Sequence, residues 1–399
     1  MLVRGGRLVD PVAGIDGRFD VRTRGEIVAE IGADLPPEPD EIVYDATGSV
    51  VAPGFVDIHA HLRDPGFPEK ETLESGARAA VRGGFTAVAC MPNTEPALDT
   101  AARVADVVRR AAAATVACRI YPIAAMTRGR AGRETLDYAA LARAGAVGFS
   151  DDGSPVDDDD AMRAVAVAAL PTGRRLISHA EEEDAMVRRD LALARETAAP
   201  WHVAHVSTGV SISAIAAAKD AGVDLTCEVT PHHLLFTQAL VGVLGGGAKV
   251  NPPLRAEEDA RALRDAVRRG WVDAFATDHA PHTAAEKELP FDRAAFGFSG
   301  LEIAAGAYAL ALPDLPVARY VALLSAGPCR ILGLAGGSLA PGMPADITVF
   351  ADRPWTVLAS GFASKGKNTP FDGMQLPRAI RATIVAGSLR YDAELTNSA

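Results

Sequence analysis

The residues best suited to chemistry are clustered in His59-Ala60-His61-Leu62-Arg63. On an extended segment, side chains two residues apart project to the same side, so both imidazoles face one way. Neutral imidazoles on one face suit a borderline-soft divalent cation, although packed strand histidines are the competing reading for an isolated His-x-His. Arg63 follows at once, and a guanidinium grips a carboxylate through two parallel hydrogen bonds. Later strand-like runs end in Asp151, His179, His205 and Asp278, and Asn93 lies just past another. Four histidines and two aspartates suit two metal ions, zinc foremost, with a carboxylate bridging them. Water shared by such ions loses its proton near neutral pH. The chemistry implied is hydrolysis, or its reverse, at an amide-type carbonyl.

These side chains need elements that bring them to one place. Between residues 51 and 334, strand-like runs at 55–61, 86–91, 119–124, 146–150, 175–179, 202–206, 224–229 and 272–277 alternate with Ala-rich helical runs such as 74–82, 102–113 and 211–221. Eight such alternations predict an α/β TIM (β/α)8 barrel over 51–336, whose active site lies at the C-terminal strand ends. Residues 1–50 and 337–399 both read as short strands broken by Gly and Pro. Neither stretch has enough strands for a core of its own, so a small β-sandwich domain formed from both chain ends is expected.

The 399 residues are ample for that core, and 48% hydrophobic with 6% aromatic residues favours many small-residue helices. A formal net charge of -11 argues against nucleic acid as a partner. No apolar run is long enough for a membrane span and no leader is evident, so the expectation is a cytoplasmic chain without a membrane partner. Cys90, Cys118, Cys227 and Cys329 lack Cys-x-x-Cys spacing and read as buried free thiols.

Val56-Asp-Ile-His59-Ala-His61-Leu-Arg63 is followed by Gly83-Gly-Phe-Thr-Ala-Val-Ala-Cys-Met-Pro-Asn93-Thr94, Gly148-Phe-Ser-Asp151-Asp152-Gly153 and His202-Val-Ala-His205-Val-Ser-Thr208. Then come Glu228-Val-Thr-Pro-His-His233, Asn251-Pro-Pro-Leu-Arg255, Thr277-Asp278-His-Ala-Pro-His282 and Ser364-Lys-Gly-Lys-Asn368-Thr-Pro-Phe371. In this order, over nearly the whole chain, the motifs resemble those of the class I dihydroorotases of the amidohydrolase superfamily. The resemblance implies that His59, His61 and Asp278 bind one zinc ion, that His179 and His205 bind a second, more weakly filled one, and that Asp151 bridges them. It implies that Arg63, Asn93, Asn251 and His282 bind a small-molecule substrate, N-carbamoyl-L-aspartate or L-dihydroorotate. Asp278 then doubles as the proton shuttle of the reversible cyclisation in pyrimidine biosynthesis. A homo-oligomer, expected to be a dimer, and a complex with aspartate transcarbamoylase also follow from the resemblance.

Hydantoinases and allantoinases of the superfamily bridge their metals through a carboxylated lysine. No lysine occurs between Lys70 and Lys219, which excludes that bridge and weakens a reading as another cyclic amidase. A catalytically weak scaffold subunit is a further alternative, disfavoured by the complete ligand set. It draws its support from the segment between His179 and His205, which is shorter than the family's usual loop.

Several neighbouring residues read as structural. His202 is expected on the opposite strand face from His205, packed or against a helix, and His232 and His233 follow Pro231 in a loop. Asp152 is expected to point away from Asp151. The acidic runs 157–160 and 181–184 read as helix N-termini, and Gly245-Gly-Gly247 as a turn.

Overall fold

A computed structural model describes residues 1–113 and 115–396. Eight short parallel strands carry the middle of the chain: β1 (Phe55–Ala60), β2 (Phe85–Cys90), β3 (Arg119–Pro122), β4 (Gly148–Phe149), β5 (Arg175–Ser178), β6 (Trp201–Val203), β7 (Leu225–Val229) and β8 (Ala274–Phe275). They form two parallel sheets, β3-β2-β1 and β4-β5-β6-β7-β8. Single parallel bridges, Ala124 to Phe149 and Ala60 to His279, connect the sheets at both junctions. Burial on both faces explains the composition of these strands: every residue of β1 and β2 is buried. Val56, Ile58, Ala87, Ala89, Ile123, Val147, Ile177, Ala204, Ala274 and Ala276 share one inner apolar cluster.

The strands occupy the expected places but end early. β4 keeps two residues of 146–150 and β8 two of 272–277. At β8 the cause is a side chain that replaces the ladder. The buried Asp57 carboxylate accepts from the Thr277 amide at 3.1 Å and from the His59 amide at 3.2 Å. Pairing of β1 with β2 also shifts register between Asp57 and Ala60. Such irregularities re-aim side chains, and here Ile58 joins the inner cluster while His59 and His61 both reach the site.

Helices start where the sequence supplies caps. Thr72 caps Leu73–Arg82 with a reciprocal Ser75 bond, Thr100 caps Ala101–Ala111, and Thr208 caps Gly209–Asp220. Asp158 caps Asp159–Ala169, so the acidic run there is a helix N-terminus. The segment after β5 is a helix from Glu183 to Thr197, and Gly245–Ala248 is a single 3₁₀ turn. All four cysteines are buried and free. Among the described residues no helix is long and apolar enough to cross a membrane.

Strands from both chain ends interleave. A six-stranded sheet runs Ser388–Asp392, Ala379–Val385, Ile347–Ala351, Val50–Pro53, Arg7–Asp10, Ile15–Arg18. A four-stranded sheet runs Ile27–Gly32, Asp20–Arg24, Leu2–Arg4, Val43–Asp45, and residues of both sheets share one apolar cluster with Val3, Leu8, Val21, Ile347 and Ile384. Residues 2–10 are divided between these two sheets. Gly5, at φ 80°, supplies the left-handed turn that separates Leu2–Arg4 from Arg7–Asp10.

The side chain of Glu302 is largely shielded from solvent beside the helix end at Arg82, 3.3 Å from its guanidinium, and accepts from the Ser364 amide at 3.1 Å. Burial dominates and pushes its carboxyl up from 4.5 to about 7. Between those values the unfolded chain ionises while the folded chain keeps its proton, so stability falls as pH rises through that window. Glu302→Gln keeps an acceptor without the titration. Thermal melts are therefore expected to show the variant gaining on wild type between pH 4.5 and pH 8, by up to about 3 kcal/mol at about 1.4 kcal/mol per pH unit. An unchanged difference across that range contradicts the burial argument.

Candidate active site

Polar side chains at or beyond the C-terminal ends of several of these strands line one cavity of about 320 Å³, among them His61, Arg63, Asn93, Asp152, His179, Asn251, Asp278 and His282. Two sets of atoms converge at its floor. Ligand-type atoms of His59, Asp152 and His205 all lie within 4.8 Å of one another, as do those of His59, His61 and Asp278. Asp278 Oδ1 lies 3.1 Å from His61 Nε2 and 3.6 Å from His59 Nε2. Asp152 Oδ1 lies 3.3 Å from His59 Nε2, 3.3 Å from His179 Nδ1 and 3.5 Å from His205 Nε2. His179 Nδ1 and His205 Nε2 are 2.8 Å apart.

The carboxylate amid these imidazoles is therefore Asp152, which corrects the expectation for Asp151. Alternation fails here because the chain has already left β4. Asp151 to Ser154 form a turn closed by the Ser154 amide on the Asp151 carbonyl at 2.8 Å, with Gly153 at φ 73°. The turn swings Asp152 inward. Asp151 is captured on the wall, where it accepts from the Met126 amide at 2.8 Å, the Thr127 amide at 3.2 Å and the Thr127 hydroxyl. Arg130 fixes the turn by donating to the Asp152 carbonyl and to Ser154 Oγ at 3.1 Å.

The imidazoles are oriented from behind. His59 Nδ1 is 2.7 Å from Glu228 Oε1, and His61 Nδ1 is 2.8 Å from Asn93 Oδ1. Those contacts behind the rings leave both Nε2 atoms facing the carboxylates, an arrangement usual for metal-binding histidines. His59 Nε2 and Asp152 Oδ1 are buried and lack a hydrogen-bond partner among the described residues, so the donor set fits a divalent cation. Burial pushes Asp152 and Asp278 up, but the surrounding imidazoles outweigh it and hold both carboxyls below their usual range. Both are ionised at neutral pH. Three of the side chains sit on left-handed backbone, Arg63 at φ 57°, His205 at 31° and Asp278 at 47°. For non-glycine residues that conformation costs of order 1–3 kcal/mol each and concentrates at functional sites.

Positive charge stands above the floor. Burial lowers the Arg63 guanidinium to about 10, still charged at neutral pH. Its Nε donates to the Pro281 carbonyl at 3.4 Å, and one terminal nitrogen lies 3.1 Å from His282 Nε2. Burial and then Arg63 bring His282 down to about 3, so it is neutral, and its Nε2 lies 2.7 Å from the Phe296 carbonyl. Asn93 leaves its amide nitrogen for a ligand. Asn251 Nδ2 lies 3.1 Å from His179 Nε2.

Of the residues read as structural, His233 fits that reading. It holds the Pro252 carbonyl at 3.0 Å and Thr230 Oγ1 at 2.7 Å, which anchors the loop carrying Asn251. His202 is neither simply packed nor on a helix: it lies 3.1 Å from Glu228 Oε2. Burial lowers His232 to about 4, and neither of its ring nitrogens has a hydrogen-bond partner among the described residues. The acidic run 181–184 opens a helix whose Glu183 accepts from the Ser207 and Thr208 amides at 3.0 and 3.1 Å. Beside it a second cavity of about 440 Å³ adjoins the site and shares Glu181 and Asn251 with it, where the segment after His179 is short.

Sequence reasoning missed Asp57, Thr127, Arg130 and Glu228. The signal was present for Glu228, a lone carboxylate in the buried run Leu-Thr-Cys-Glu-Val, because a buried charge requires partners.

The pattern of the Amidohydrolase family matches residues 50–390. The chain is 43% identical to a dihydroorotase of Anaeromyxobacter dehalogenans over 98% of each chain, and 41% identical to one of Pelotomaculum thermopropionicum over 97% of each. A dihydroorotase of Aquifex aeolicus is 38% identical over 98% of this chain and 99% of its own. Among solved structures, an L-hydantoinase (dihydropyrimidinase) from Arthrobacter aurescens superposes with a TM-score of 0.89 at 25% identity, covering 97% of this chain and 95% of that one. A D-hydantoinase from Thermus sp., TM-score 0.86 at 22% identity over 97% and 94%, shares the fold.

Proposed function

This chain belongs to the amidohydrolase family, as one of its dihydroorotases, and from that membership we propose how its own residues carry the reaction. The enzyme is a metal-dependent cyclic amidase that interconverts N-carbamoyl-L-aspartate and L-dihydroorotate plus water. We read the eight parallel strands as a closed (β/α)8 barrel over 51–336, a reading supported by the bridges at both sheet junctions. We read the strands of residues 1–53 and of 347–392 as the accompanying β-sandwich.

The convergence of four histidines and two carboxylates beside a buried guanidinium carries the functional reading. His59, His61 and Asp278 would hold one zinc ion, His179 and His205 a second, with Asp152 between them. Such ions supply Lewis acidity and a water acidic enough to act as nucleophile near neutral pH. Arg63, with the free amide nitrogen of Asn93, grips the substrate carboxylate and sets the ring in the cavity. Asn251 and His282 close the sides of that grip. In hydrolysis Asp278 takes the proton of the attacking water and delivers it to the ring nitrogen as the amide C–N bond breaks. In the biosynthetic direction it takes the proton of the carbamoyl nitrogen as that nitrogen attacks the side-chain carboxylate carbon, and returns it to the departing oxygen, which leaves as hydroxide and becomes water with one further proton from solvent.

The direct test is a metal count on purified protein with assays in both directions. About two ions per chain with turnover of dihydroorotate is the expected result. Full occupancy with no turnover, or preference for hydantoin, overturns the assignment. Arg63→Lys keeps the charge and loses the fork, so KM for dihydroorotate is expected to rise by about tenfold to a hundredfold, the about 1.5–3 kcal/mol of a charged hydrogen bond, with metal content unchanged. An unaltered KM removes Arg63 from the grip.

A further inference from the structure

Glu228 lies outside the cavity wall, and nothing in the proposed reaction uses it, yet it is completely buried on β7 with every oxygen contact directed at the metal site or at its support. Its Oε1 meets two residues assigned to different ions. The His59 ring nitrogen Nδ1 is at 2.7 Å, and the backbone amide of His205 donates to the same oxygen at 3.2 Å. His205 sits at φ 31°, a backbone conformation that a non-glycine residue keeps only when its surroundings enforce it.

The other oxygen is anchored in turn. Oε2 is 3.1 Å from His202 Nε2, and His202 Nδ1 is 2.8 Å from Thr226 Oγ1. His202 and Thr226 are paired in register across β6 and β7, and Thr226 stands two residues before Glu228, on the same strand face. The two strands thus hold the carboxylate rigidly before it touches either ligand. A group needed only for stability would have no reason to divide one oxygen between the two ligand sets.

We propose that Glu228 is a positioning residue that keeps the two halves of the metal site in register, fixing His59 through its ring and His205 through its backbone. The proposal rests on the reading of His59 and His205 as ligands. Its distinctive consequence is that both ions weaken together when Glu228 is altered, although it touches neither. Outer-shell partners of metal ligands typically change metal affinity by about ten- to a hundredfold.

Glu228→Gln keeps the length and removes the charge, and Glu228→Asp keeps the charge and withdraws it by one methylene. Each variant, checked for folding by circular dichroism, is stripped and titrated with zinc and with cobalt. The expected result is a ten- to hundredfold loss of affinity for both ions in at least one folded variant, with an altered visible spectrum of the cobalt form. Two ions bound with wild-type affinity in the folded variants, or loss of one ion alone, overturns the proposal. Should neither variant fold, zinc-loaded wild type labelled with nitrogen-15 histidine decides: a proton on His59 Nδ1 supports the contact, and one on Nε2 overturns it. A wild-type protein that takes up no metal overturns the reading of the site itself, so the two failures are distinguishable.

Discussion

Asp152→Ala is expected to strip the site of bound metal and abolish turnover, while Asp151→Ala leaves a folded, metal-binding protein. The asymmetry between adjacent aspartates follows from their surroundings. Asp152 Oδ1 stands within 3.5 Å of nitrogens from His59, His179 and His205, so its removal withdraws a carboxylate that faces imidazoles of both halves of the site directly. The loss of metal affinity is expected to exceed the about hundredfold typical of an outer partner. Asp151 instead holds the Met126 and Thr127 amides. Leaving these buried donors unpaired costs about 1–3 kcal/mol each, so the second variant pays in melting temperature. Metal analysis and thermal denaturation on the two variants decide the matter, and the reverse pattern would restore Asp151 as the bridge.

Asp278→Asn is expected to lower kcat for dihydroorotate by about 10²- to 10⁴-fold, the usual contribution of a positioned acid-base group. Asparagine keeps an oxygen where Asp278 Oδ1 meets His61 Nε2 but cannot carry a proton between water and the ring nitrogen. KM is expected to change little, because Arg63 and Asn93 bind the far side of the substrate. Metal content must be measured alongside, since a variant that has lost an ion reports on ligation and not on proton transfer. Turnover within a few fold of wild type, at full metal content, takes the shuttle role away from Asp278.

The contrast between Asp151 and Asp152 also marks the limit of reading a site from strand periodicity. His59, His61, His179, His205 and Asp278 were all legible because each follows an apolar run, and the ends of parallel strands gather on one side. Even there the route differed from simple alternation, since the register shift between Asp57 and Ala60 is what allows Ile58 to pack inward beside two site histidines. At β4 the strand ends at Phe149, and the Asp151–Ser154 turn chooses which carboxylate enters. The glycine at 153 was a local hint of that turn. What it could not supply was the competing partner, because Thr127 arrives from a different strand end.

Glu228 and His202 illustrate the same boundary. A carboxylate in a buried strand announces that it has partners, without naming them. The alternating hydrophobic runs, the helix caps at Thr72, Thr100, Asp158 and Thr208, and the order of the polar residues are local properties, written in spacings of two to four residues, so the sequence by itself determined the strand-helix alternation and most of the residues that meet at the site. Which aspartate turns inward, which oxygen orients His59 and which residues hold left-handed backbone depend on contacts between segments distant in the chain, such as Asp57 with Thr277 and His59 with Glu228. Only the tertiary structure decides those, because a buried polar atom takes whichever partner the packed strands bring within hydrogen-bond reach.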